Sequence, residues 1–435
     1  MHLKTAIRFH QKGQLAKARA GYEQVLKKDP NQADALLYLG VLLHQLRQSE
    51  KAIGLIRKSL KSSPDFLAAH QNLGNIYHET GRTADAIGCY QKVTALNPAD
   101  ADAHSNLCIA LKHLDCLDEA IESGLTATSL APNNKLAWLS LANALTRADR
   151  FEEAMDCYQR ALALDDRLFA AHSGLCHCTY RWESSSGVGR KNMVKTRAAY
   201  QRWLESDPDN PVSKYMLAAC TGDASMTRSP EDFITVLFDE FAANFDQNLA
   251  ELDYRVPALV ANLVNSVMKS PSAQYDILDA GCGTGLLAAD LKPFSRCLTG
   301  VDLSTGMLEK AEKRGMYDHL IQADLTRFLT GKEDDWDLVV CADTLCYFGQ
   351  LDEIIKLMAE ALRTRGILIG SFERSKKRAQ GYRLNPNGRY SHTESYLQSC
   401  FEASGLTILQ IHSEDLRKEG REAVAGLLFV ASKQD

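Results

Sequence analysis

The sequence predicts two architectures in one chain. An all-α solenoid of helical repeats comes first, then an α/β domain on a doubly wound, mostly parallel sheet of seven strands. Three observations carry this reading. A 34-residue period runs through the first half. An apolar run ends in Asp279-Ala280-Gly281-Cys282-Gly283-Thr284-Gly285, with glycine at every second position. Strand-like and helix-like segments then alternate to the C-terminus, as a doubly wound sheet requires.

The period is exposed by single residue types. Pro30, Pro64, Pro98 and Pro132 lie 34 residues apart, as do Ala18, Ala52, Ala86, Ala120 and Ala154. Leu39, Leu73, Leu107, Leu141 and Leu175 keep the same step, each followed by a small residue. Self-similarity at this spacing marks stacked supersecondary units. The pattern resembles the tetratricopeptide repeat (TPR) family, which implies two antiparallel helices per unit. Six units are expected, the last running 169–210 with an insertion near Trp182–Gly189. Pro211–Gly222 would cap the array, giving a first domain of residues 1–222.

The resemblance implies a peptide or protein held in a concave groove, with Asn75, Asn143, Arg147 and Arg181 as groove residues. The competing use of such an array is packing or oligomerisation, including a homodimer. His172, Cys176 and Cys178 are spaced like metal ligands, but repeat slots account for them, so no metal is expected.

Composition bounds the rest. A chain of 435 residues has room for two or three domains. No apolar run approaches the length of a membrane span. The N-terminus begins an amphipathic pattern at once and shows no signal peptide. Twelve cysteines lie scattered without a paired framework, so reduced thiols and a cytoplasmic protein are expected. Residues 1–220 hold 27 Lys and Arg against 23 Asp and Glu, and the remainder 23 against 32. The acidic second half argues against a nucleic-acid groove there.

The glycine turn is the chemical signal. Glycines permit a sharp turn and let a ligand approach bare backbone, and Leu286–Leu291 is expected to open a helix behind them. The dinucleotide fingerprint fails, because Leu286 stands where its third glycine belongs. The Gly-Lys-Ser/Thr of a phosphate loop is absent. The acid-x-Gly-x-Gly-x-Gly form resembles the first motif of class I S-adenosylmethionine (SAM) methyltransferases, whose domain is Rossmann-like. That resemblance implies SAM as methyl donor and S-adenosylhomocysteine (SAH) as product. The cofactor residues it implies are Asp279, Gly281, Cys282, Gly283 and Gly285, then Asp302 for the ribose hydroxyls. Leu303, Ser304 and Met307 follow it, with Leu303 and Met307 placed to sandwich adenine. Ala323, Asp324 and Leu325 come next, with Asp324 for the adenine amino group.

Residues 223–270 read as a linker and lid. Phe233, Val236, Leu237, Phe241, Phe245 and Leu249 recur at helical spacing, and Pro257 can start the following helix. This segment resembles the lid of a bacterial group of TPR-repeat methyltransferases, related to the Williams–Beuren-region methyltransferases. The match spans essentially the whole chain. It implies pocket roles for Tyr254 and Arg255, and acceptor contacts for Phe241 and Phe245.

Within the domain of residues 271–435, strand four is followed by Asp343-Thr-Leu-Cys-Tyr347-Phe348. In the family this point faces the reactive methyl. Its lack of paired prolines argues against methylation of a base amino group. Residues 374–390 hold six basic side chains and no acid. Basic residues at the carboxyl ends of the strands suggest an acceptor carrying carboxylate or phosphate. Arg383, Arg389 and Tyr390 are candidate acceptor residues alongside Tyr347 and Phe348. His392 is the leading candidate for a general base and Asp343 the alternative. The expected reaction is methyl transfer to oxygen or nitrogen. The acceptor is either a protein, peptide or carrier-bound group recruited by the array, or a free small molecule.

Overall fold

The structure is a computed structural model and describes residues 2–185, 193–222, 225–242, 245–268, 271, 273–375, 381–419 and 422–434. The chain divides into two compact units, Met1–Ser186 and Gly187–Asp435.

The first unit is built of antiparallel helix pairs. These are α1 (Leu3–Gln11) with α2 (Leu15–Lys28), α3 (Ala33–Gln45) with α4 (Ser49–Ser62), and α5 (Leu67–Glu79) with α6 (Thr83–Leu96). α7 (Ala101–His113) with α8 (Leu117–Leu130) and α9 (Lys135–Arg147) with α10 (Phe151–Leu164) continue the series, and α11 (Phe169–Ser185) ends it. The periodic alanines are fully buried. A Cβ on Gly74 would stand 2.7 Å from the Tyr90 ring, so the small-residue slot sets how closely paired helices approach. Each periodic proline follows a non-helical C-cap residue with ψ between 70° and 94°: Asp29, Ser63, Asn97 or Ala131. Proline forces that conformation on the residue before it. The ring N–H slot then bonds the carbonyl six residues back. His70 Nε2 lies 2.8 Å from Pro64 O, Trp138 Nε1 2.8 Å from Pro132 O, and His172 Nε2 2.8 Å from Asp166 O. His172 therefore serves a repeat contact.

The second unit begins earlier than residue 223. α12 (Val194–Ser206) and α13 (Pro211–Thr221) belong to it. α13 is the expected helix, opened by Asn210 and Pro211 and closed by left-handed Gly222. Its Tyr215 hydroxyl lies 2.8 Å from Ser229 Oγ and donates to Gly388 O at 3.1 Å, and its ring packs 4.3 Å from that of Phe233. These bonds to the α/β fold explain the shifted boundary.

α14 (Glu231–Phe241), α15 (Phe245–Glu251) and α16 (Val256–Val267) precede the sheet. The strands are β1 (Tyr275–Ala280), β2 (Ser295–Asp302), β3 (His319–Gln322), β4 (Trp336–Cys341) and β5 (Leu362–Arg374). β6 (Tyr382–Leu384), β7 (Tyr390–His392), β8 (Leu406–Glu419) and β9 (Glu422–Lys433) complete them. Between them lie α17 (Ala288–Leu291), α18 (Thr305–Arg314), α19 (Leu325–Leu329), α20 (Asp352–Ala361) and α21 (Glu394–Ala403).

The strand order is β3-β2-β1-β4-β5, with the crossovers parallel and β9 antiparallel between β5 and β8. Two departures matter. Among the described residues nine strands replace seven, because the basic segment contributes the short hairpin β6–β7, whose β7 pairs with the last two residues of β5. The helix behind the glycine turn ends at Leu291 as expected but has only four residues, since residues 283–287 form turns and it starts at Ala288; a 3-10 turn over Lys292–Phe294 follows.

Candidate active site

β1 ends at the switch between β2 and β4, where a doubly wound sheet opens a crevice. Gly281, Gly283 and Gly285 all have positive φ, of 80°, 53° and 79°. A Cβ at Gly281 would meet Thr344 Oγ1 at 2.3 Å, so only glycine fits. Thr344 Oγ1 also donates to Ala280 O at 2.9 Å, fixing the exit of β4 against the turn.

Three acids stand at the ends of three neighbouring strands. Asp279 is buried and accepts from the Tyr317 hydroxyl at 2.7 Å. Burial, with Asp302 adding to it and Tyr317 opposing, pushes its carboxyl up to about 7. Asp302 is raised by burial too, although its oxygens accept from Gly283 N and Ser304 N, each at 2.9 Å. Those two bonds fix the carboxylate's direction. Asp324 caps α19 through Arg327 N and takes a 2.5 Å bond from Arg228 Nη2.

All three line one cavity of about 290 Å³, together with Gly281, Cys282, Gly283, Leu303, Met307, Ala323 and Leu325. Gly285 and Ser304 stand behind the lining. Gly285 packs on the Tyr317 ring, and Ser304 is the buried N-cap of α18.

A second cluster in the same lining is Tyr254, Asp343, Tyr347, Arg389 and Arg417, and Phe348 also lines the cavity, its ring 5.2 Å from the Arg228 guanidinium that bonds Asp324. Asp343 has φ 56°, a left-handed conformation that costs a non-glycine residue of order 1–3 kcal/mol. It is held by its N–H to Ser371 Oγ at 2.9 Å, by Arg389 Nη2 and by Arg417 Nη1 at 3.8 Å. Arg389 Nε donates to Glu373 at 2.5 Å and Nη1 to the Tyr347 hydroxyl at 3.0 Å; Arg417 Nη2 donates to Glu373 at 2.6 Å. Burial pushes the Glu373 carboxyl up, but Arg389 and Arg417 outweigh it and hold it below its ordinary value. Burial foremost, then Asp343, drives the Tyr254 phenol well above its ordinary value.

Several expected residues are not brought to this cavity. His392 is fully buried on β7, with Nε2 3.1 Å from Gly349 O. It packs among Phe372, Tyr382 and Tyr396, and burial lowers its imidazole to about 4. Strand pairing turned it into the core, so the structure contradicts its placement as a base facing the acceptor. Tyr390 is buried on the same strand, and Arg383 lies half-buried on β6. Phe241 is exposed at the end of α14, and Arg255 is exposed with Nη1 donating to Asp415 O at 3.3 Å. Lys376, Lys377 and Arg378 of the basic run lie outside the described residues. In the array, Asn75 and Asn143 accept from Tyr90 and Tyr158 hydroxyls at 2.9 and 2.7 Å. Arg147 bonds Asp115 at 3.1 Å, and Arg181 bonds Thr146 O and Asp149 at 3.0 and 2.6 Å.

Other residues were missed. Phe245 lines the cavity as expected, but so do Phe238 and Ile234 of α14, one and two turns before the exposed Phe241. Asp239 accepts from Ser304 Oγ (2.5 Å) and Gly306 N (3.0 Å). Asp246 accepts from Thr284 Oγ1 (2.5 Å) and Arg314 Nη2 (2.7 Å). These acids pin α14 and α15 to the glycine turn and to the N-terminus of α18. Arg417 and Glu373 carried one legible signal: each is a charge inside an otherwise apolar strand, and such a charge is buried only when paired.

Residues 277–366 match the methyltransferase domain family model. Residues 3–66 and 136–167 match tetratricopeptide repeat models, and residues 74–114 a further TPR repeat model. The chain carries tetratricopeptide repeats and a methyltransferase domain. Its methyltransferase domain is similar to Methyltransferase-like protein 27 of Homo sapiens, 38% identical over 110 residues, covering 25% of this chain and 45% of that protein. It is also similar to the malonyl-[acyl-carrier protein] O-methyltransferase of Priestia megaterium, 37% identical over 99 residues, covering 22% and 35%. The match thus spans less than half the length of either curated relative. The crystal structure of MamA is 27% identical and covers 37% of this chain and 94% of its own, with a TM-score of 0.35.

Proposed function

We propose that this chain transfers a methyl group from SAM to an acceptor bound at the Asp343–Arg389 end of the cavity. One observation supports the reading: a single cavity is lined by the glycine turn and by three acids at the ends of β1, β2 and β3, which neighbour one another in that order in the sheet. The residues fit that donor. Asp279 would hold its ammonium, Asp302 its ribose hydroxyls and Asp324 its adenine amino group, with Leu303 and Met307 against the base. The donor supplies an electrophilic methyl. The chain's residues supply alignment and exclusion of water, and the pinned helices α14 and α15 close the donor end. Calorimetry tests this directly: SAH should bind the full chain at one site, and no binding would end the proposal.

The array would recruit a protein, peptide or carrier-bound acceptor. A second reading is favoured by a specific observation, since the four expected groove residues are already bonded within the array. In it the acceptor is a free small molecule and the array serves dimerisation. Incubation with methyl-tritiated SAM and lysate separates the two: label on macromolecules supports the first, label on small solutes the second. A reducing compartment such as the cytoplasm suits twelve cysteines that form no disulfide among the described residues.

A further inference from the structure

The cavity's acceptor end has two unusual properties. Among the described lining residues there is no histidine and no lysine. Its one carboxylate away from the donor, Asp343, is committed to Arg389 and Arg417. The phenols of Tyr254 and Tyr347 and the Cys282 thiol are all raised by burial, so none presents an anion able to take a proton at neutral pH. A neutral hydroxyl or an ammonium acceptor would find nothing there to deprotonate it. Arg389 is nonetheless buried in the lining, with a side chain only 16% exposed. A guanidinium has five N–H groups, and those of Arg389 give three bonds, to Glu373, Tyr347 and Asp343. Two N–H groups remain for an acceptor.

Arg389 and Arg417 are matched by Asp343 and Glu373.

From this we infer that the acceptor is a carboxylate, held by Arg389 at the floor of the cavity and methylated on oxygen. The inference rests on the methyltransferase reading above and names its substrate class. A carboxylate is already ionised at neutral pH and requires no base. A carboxylate oxygen lone pair forms the new O–CH3 bond, and the carbon–sulfur bond breaks with its electron pair left on sulfur. The anion and the sulfonium both become neutral, as ester and thioether, and no proton moves. Loss of two opposite charges is favoured by a dry, apolar cavity.

Two measurements on the full chain test this. The first is calorimetry of SAH-loaded protein with phenylacetate and octanoate, each against its neutral amide. The carboxylates should bind at least tenfold more tightly; equal binding, or tighter binding of the amides, overturns the inference. The second uses methyl-tritiated SAM with a whole cell extract, macromolecules and small solutes together. Mild alkali should convert the transferred label to volatile methanol, as only an ester allows. Alkali-stable label, or no transferred label, overturns it. Failure of SAH itself to bind would instead remove the methyltransferase reading beneath it.

Discussion

Asp279 is buried beside a second acid and one hydroxyl, and its carboxyl sits at about 7. This folded value lies above the ordinary 3.8, so the native state keeps a proton that the unfolded chain has lost between these limits. The stability from that proton is present at low pH and is lost as pH rises through 7. An ammonium needs the ionised form, so SAH affinity should rise roughly twentyfold from pH 5.5 to 7.5. Asp279→Asn should flatten that profile, abolish tight binding, and raise the melting temperature of the unliganded protein at pH 8. Calorimetry and thermal melts across pH would show both. His392 runs the other way. Its folded value of about 4 lies below the ordinary 6.5, so its contribution is full above pH 6.5 and is lost as pH falls towards 4. His392→Gln should therefore reduce acid sensitivity in that window, by up to the order of 3 kcal/mol. Turnover at pH 8 should stay within about threefold, because the ring does not face the cavity. A loss of a hundredfold or more with SAH binding intact would restore it as a base.

At the scale of elements, α14 and α15 are tied to the donor end through Asp239 and Asp246. Each substitution to alanine should weaken SAH binding about tenfold, the effect of losing a charge-assisted hydrogen bond. The double variant should lose less than the product of the two, since both act on one lid. Dissociation rates measured by stopped flow would check it. In the array, Gly74 lies under the Tyr90 ring, with room for no Cβ. Gly74→Val should cost about 2 kcal/mol by overpacking, read as a lower midpoint in urea. It should leave SAH affinity unchanged.

At the scale of the whole molecule, the two units divide at Ser186 and not at residue 222. A chain beginning at residue 187 should fold and bind SAH with wild-type affinity. One beginning at residue 223 strips α13 from Ser229, Phe233 and Gly388, and should aggregate or melt at a lower temperature. Expressing both and comparing melts and calorimetry would show whether α12 and α13 belong to the methyltransferase domain.

The sequence alone settled what local chemistry dictates. Proline spacing and small residues repeat because every helix pair meets the same packing problem, and β1 was legible as Tyr275–Ala280 because a buried strand and a glycine turn each constrain their own residues. The strand-end acids were legible for the same reason. Which side chains of residues 374–392 face the cavity was decided only by tertiary structure. Pairing of β7 with β5 sends His392 and Tyr390 into the core and leaves Arg389 at the cavity. Arg417 reaches Glu373 and Asp343 only because β8 and β9 pair across the sheet edge. Such pairings join residues far apart in the chain, and a charge enters the interior only where the fold delivers its partner.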